Sequence, residues 1–112
     1  MLKKGYIEQN SEGIQRLLKA LKEAVDIINA DPKEAARIVK DNFKIPEENI
    51  AKVLGDTIFD IRFSQQDVEQ LDSGTKWSIQ NKLIKYEFNV RDYIYLEPLK
   101  AVFPDTITYK EQ

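Results

Sequence analysis

Between Ser11 and Ala30, the residues Ile14, Leu17, Leu18, Leu21, Val25 and Ile28 recur at steps of three and four. That spacing sets all six along one side of an α-helix and cannot set them on one face of a strand. Asn10 or Ser11 can cap the start by accepting from an unpaired backbone N–H, and Glu12 precedes Arg16 by four residues, the order that supports a helix. A helix with one apolar stripe is an incomplete structure, because the stripe must lie on another surface.

The same grammar recurs downstream. Asp31, Pro32 and Glu34 combine a capping aspartate, a proline whose missing N–H costs nothing in a first turn, and an acid that answers the helix dipole. They predict a second helix carrying Ala35, Ala36, Ile38, Val39 and Phe43, packed with the first as an antiparallel hairpin. Pro46 with Glu47 and Glu48 opens a short third helix bearing Ile50, Val53 and Leu54, with Gly55 as a place to stop. From Ile58 to Phe63 the pattern alternates partly at period two, which predicts an extended segment.

Ser64 followed by Asp67 starts a helix from about Gln65 to Asn81, with Val68, Leu71, Thr75 and Ile79 on one side. Trp77 falls on the opposite side, so this helix is either buried on two faces or distorted near Gly74, where glycine costs about 1 kcal/mol against alanine. Beyond Leu83, two short helices joined by a turn are expected, then a tail in which Ile107 and Tyr109 can dock one end. The fold class is therefore mainly α: a helical hairpin plus several shorter helices and at most one short extended segment near residues 58–63. A length of 112 residues suits a single helical domain, with residues 1–10 as an N-terminal arm and 104–112 as a C-terminal tail.

Composition narrows the chemistry. The chain holds no histidine and no cysteine, which removes the commonest general base and metal ligand together with any thiolate or disulfide. Ser11 and Ser64 stand at helix starts, where capping explains them. Glu47 and Glu48 are first-turn acids, and no oxygen-ligand loop of the calcium-binding kind surrounds them. The four glycines, Gly5, Gly13, Gly55 and Gly74, are too scattered for a phosphate-cradling loop.

Aromatic residues between Trp77 and Phe103, with Lys82, Lys85 and Arg91 nearby, could stack on bases. A formal charge of −2 gives no field to draw nucleic acid, so core packing is the expectation, with Trp77 left as a surface or interface anchor. Charged residues interrupt every apolar stretch, which predicts no membrane insertion. Met1 to Tyr6 lack the apolar run of a signal peptide, so the chain as written would stay in the cytoplasm. No catalytic, cofactor-binding or metal-binding residue is predicted, and the chain is expected not to be an enzyme.

The order of these elements resembles the C-terminal part of the solute-binding proteins of ABC importers of the nitrate, sulfonate and taurine type. The likeness runs from Tyr6-Ile7-Glu8-Gln9-Asn10 into Ile14-Gln15-Arg16-Leu17-Leu18-Lys19-Ala20-Leu21. It continues through Ile27-Ile28-Asn29-Ala30-Asp31-Pro32-Lys33-Glu34-Ala35-Ala36, similar to that family's closing helical hairpin. Asp67-Val68-Glu69 then opens a helix carrying Trp77, Leu83-Ile84 follows, and Asn89-Val90-Arg91-Asp92-Tyr93-Ile94 resembles the family's penultimate turn, with Leu96 to Val102 as its last helix.

The resemblance implies a family with two α/β lobes that capture a small anion or related solute and deliver it to an ABC permease outside the cytoplasmic membrane. The matching residues are helix-forming and packing ones, so no ligand position carries over and solute binding by this chain alone is not expected. With the lobe's sheet absent from these residues, the stripe of Ile14, Leu17, Leu21 and Ile28 calls for another cover, and a homodimer or larger assembly is predicted. The other reading is a free-standing helical interaction or regulatory module.

Overall fold

The computed structural model describes residues 2–110, and helices dominate them. The helices are α1 (Lys4–Gln9), α2 (Ser11–Ala30), α3 (Pro32–Phe43), α4 (Glu47–Asp56), α5 (Gln65–Gln80) and α6 (Glu97–Val102), with 3-10 turns at Val90–Tyr93 and Pro104–Thr106. Among the described residues, extended pairing is confined to one isolated parallel bridge, Phe63 to Ile107. The length predicts one body, whereas contacts group the residues into two compact units, Arg16–Ile61 and Met1–Gln15 with Arg62–Gln112.

In the unit formed by Arg16–Ile61, the close helix pair is α3 with α4. The predicted hairpin of the first two helices is thus replaced by a hairpin of the second and third. Asp31 Oδ1 accepts from the Glu34 N–H at 3.0 Å, which fixes where α3 begins. Lys44 ends it in the left-handed region (φ 55°, ψ 31°), its N–H donating to the Lys40 carbonyl. Three residues later α4 starts, and Lys40 Nζ reaches Glu47 Oε2 at 3.1 Å. The buried side chains here are Ala35 and Ala36 on α3, small enough for close approach of two helices, and Ile50 on α4. Gly55 does not stop α4, which runs on to Asp56.

The other unit is organised around α5. Ser64 and Asp67 form a reciprocal capping box: Ser64 Oγ accepts from the Asp67 N–H at 3.2 Å, while Asp67 Oδ2 accepts from the Ser64 N–H at 2.7 Å and from its hydroxyl at 2.6 Å. One residue on, Val68 has no exposure at all and heads a core with Leu96 and Tyr109, against which Phe63, Ile94 and Ile107 pack. Phe63 ties the two ends of this core together. Its N–H donates to the Thr106 carbonyl, its own carbonyl accepts from Thr108 and Tyr109, and its ring meets Tyr109 edge-on at 5.6 Å. The expected tail is therefore anchored as far as Tyr109, while residues 111 and 112 lie outside the described residues.

Neither alternative for α5 holds. The helix is unbroken through Gly74, and Trp77 is left 58% exposed. One glycine costs a helix about 1 kcal/mol, too little to break sixteen residues held by a box at one end and a core contact beside it. The 1–10 arm is also helical over Lys4–Gln9, where the Asn10 amide donates to the Tyr6 carbonyl instead of capping α2.

Two expected outcomes follow from α5. Val68→Ala removes two methyl-sized groups from a site without solvent and should cost about 2 kcal/mol or more in urea unfolding. A Cβ added at Gly74 would meet nothing within 4 Å, so Gly74→Ala should raise stability by roughly 0.5–1 kcal/mol.

Candidate interaction surface

The six charged residues of α2, Glu12, Arg16, Lys19, Lys22, Glu23 and Asp26, all fall on one side of the helix. At about 100° per residue, the uncharged residues then occupy roughly 200° of its circumference, twice the apolar arc of an ordinary surface helix. Ile14, Leu18, Val25 and Ile28 form one half of that arc and are half-buried. Gly13, Leu17, Ala20, Ala24 and Ile27 form the other half and are exposed, Leu17 to 51% and Ile27 to 47%, and Leu21, which falls between Ile28 and Ile14, is exposed as well. No residue of α2 is buried. At its C-terminal end the Asn29 amide donates to the Phe59 carbonyl at 3.1 Å, beside the extended stretch that follows α4.

The uncovered area can be put in numbers. A chain of 13.0 kDa folded as one body exposes about 6,300 Å², and two bodies of the lengths of these units, counted apart, about 7,600 Å². This chain exposes 8955 Å². The surplus of about 1,300 Å² over the larger figure is spread over the chain, with Phe43, Ile58, Leu83 and Tyr86 exposed as well as the side chains of α2.

Several polar residues singled out by the sequence are engaged locally. Ser64 belongs to its capping box, and Ser11 Oγ accepts from the Gln15 amide. Glu47 is paired with Lys40, and among the described residues no group of acidic side chains is placed to hold a metal ion. Arg37 forks onto Glu34 at 2.7 and 2.8 Å and reaches Asp41 at 3.0 Å, an exposed helical pairing. The aromatic residues divide. Phe88 lies 6.2 Å from Tyr86 and 5.3 Å from Tyr93, but it is only half-buried and both tyrosines are largely exposed, so these three rings cluster at the surface and outside the Val68 core.

Two open grooves accompany these elements. One of about 720 Å³ runs between α1 and the segment Asp92–Tyr95, where Lys4 Nζ sits 5.3 Å above the Tyr95 ring. The other, about 580 Å³, lies along α5 over Leu71, Gly74, Thr75 and Ser78. Asp67 also lines the second groove, and its carboxylate is taken up by the Ser64 capping box.

Comparison of the chain with protein-family models, with curated proteins and with solved structures finds no match. No helix among the described residues is long and apolar enough to cross a membrane.

Three carboxylates titrate below their ordinary range: Glu34 through its hydrogen bonds from Arg37, Asp67 through those from Ser64, and Asp72 through that from Lys76. Because each binds its proton less readily folded than unfolded, the stability it contributes is present above the ordinary carboxylate range and lost as pH falls through the folded value. Melting temperature should therefore be flat from about pH 7 to 5 and fall below about pH 4. Ser64→Ala, which opens the capping box, should cost about 1 kcal/mol at neutral pH in denaturant titrations, and Asp67→Asn should blunt the acid-side fall.

Proposed function

We propose that this chain is a non-catalytic helical segment of an ABC-importer solute-binding protein of the nitrate, sulfonate and taurine type, which acts by lying on an α/β lobe and does not itself grip solute. The observation that carries the reading is the 200° uncharged arc of α2. A helix apolar over half its girth is built to be flanked on two sides, as a helix is when it lies on a sheet beside a neighbouring helix. On this reading the permease is met by the assembled protein, and the setting is extracytoplasmic.

A free-standing interaction module is the second reading, and Trp77 favours it. Its side of α5 carries Gln66, Gln70, Ser73 and Gln80 and no charge, the composition of an anchor ringed by neutral polar residues. Coding context separates the two: permease and ATPase genes alongside, or a frame encoding two sheet-rich lobes, support the first reading.

Thermal-shift assays of the chain with nitrate, taurine, an alkanesulfonate and bicarbonate should show no stabilisation. A bound ligand at a hundred times its dissociation constant would add about 2.7 kcal/mol, so a clear upward shift with any of them would overturn the non-binding role.

A further inference from the structure

The groove along α5 has a built wall. Just past the helix, Lys82 turns the chain through the left-handed region (φ 60°), and the N–H groups of Leu83 and Ile84 both donate to the Ser78 carbonyl, at 2.9 and 3.3 Å. Ile84 is thereby folded back beside the helix, and with Gln70, Leu71, Gly74, Thr75 and Ser78 it lines a cleft of about 580 Å³, a size common among small-ligand sites.

Gly74 has no internal reason to be glycine. Its φ is not positive and a Cβ there would meet nothing within 4 Å, yet in a helix interior it costs about 1 kcal/mol against alanine. What its missing side chain does is keep the cleft open. Trp77, three residues on, is its neighbour on the helix surface, and a helical side chain lies over the turn before its own Cα, which brings the indole toward the cleft's edge. We infer that the cleft and the exposed Trp77 ring together bind a neutral saccharide, one sugar ring stacked on the indole and its hydroxyls held by Gln70, Thr75 and Ser78.

The chemistry of the surface selects that class. A pyranose has a face of C–H bonds, which suits the electron-rich face of an indole, and a rim of hydroxyls that both donate and accept, as amides and hydroxyls do. Gln65 gives its amide to Glu69 at 3.2 Å, whereas Gln66, Gln70 and Gln80, on the Trp77 side, make no side-chain hydrogen bond among the described residues. No lysine or arginine lines the cleft to hold an anion. Its one carboxylate, Asp67, is engaged by Ser64 and stands 4.0 Å from Arg62, which leaves little attraction for a cation. A protein partner would bring apolar side chains, and Trp77 has no apolar neighbour on its own side of α5 to help meet them. The inference holds under either reading of function, because α5 and not α2 supplies the site.

Trp77 is the chain's only tryptophan, so its emission reports the stacking directly. Titration with cellobiose, maltose and N,N′-diacetylchitobiose up to about 50 mM, a range that captures millimolar affinity, should give a saturable change in that emission with at least one of them. Choline and inorganic phosphate at the same concentration should give none. Gly74→Leu places a better helix former at the cleft, so it should leave the melting temperature at or above that of the parent while weakening the saccharide by roughly tenfold or more. Gln70→Ala should weaken it by about threefold to tenfold, the worth of one hydrogen bond. The absence of a saturable change with all three saccharides would overturn the inference, as would an equal response to choline or phosphate, or an affinity that either variant leaves unchanged.

Discussion

Val68 is walled in by side chains from three separate stretches of chain: Phe63 just before α5, Ile94 and Leu96 ahead of α6, and Ile107 and Tyr109 near the end. Phe63 holds that enclosure shut, since its backbone bonds to Thr106, Thr108 and Tyr109 while its ring leans on Tyr109. Local helix signals are therefore necessary but not sufficient here. α5 can start itself through its capping box, yet it has something to rest on only because the chain returns to Phe63. The other unit has no equivalent centre, and its buried side chains are two alanines and one isoleucine.

That imbalance governs what the chain can do. With so few side chains removed from water, apolar area on α2 is left facing solvent. Both readings of function share one physical basis, a helix face made to be covered. They differ in whether the cover is the remainder of a transport protein or another molecule.

Much of the local structure was legible from residue order because the signals act within a few residues. Asp31 beside Pro32 and Ser64 ahead of Asp67 marked the starts of α3 and α5, and the apolar period of α2 marked its full span. Partnerships were less legible. Periodicity tells which side of a helix is apolar and not which neighbour receives it, so the pairing of α3 with α4 was missed. The anchoring of Tyr109 depends on Phe63, far away in sequence. On α2 the pattern set Ile14, Leu17, Leu18, Leu21, Val25 and Ile28 on one side alike, and only the fold separates the half-buried Ile14, Leu18, Val25 and Ile28 from the exposed Leu17 and Leu21.

The position of Trp77 has an optical consequence. It is the chain's single tryptophan, and it stands on the outer side of α5, turned away from the Val68 enclosure. Its fluorescence thus samples hydration of a helix surface and carries little information about the packed interior. A blue shift in emission would register a molecule settling over that surface.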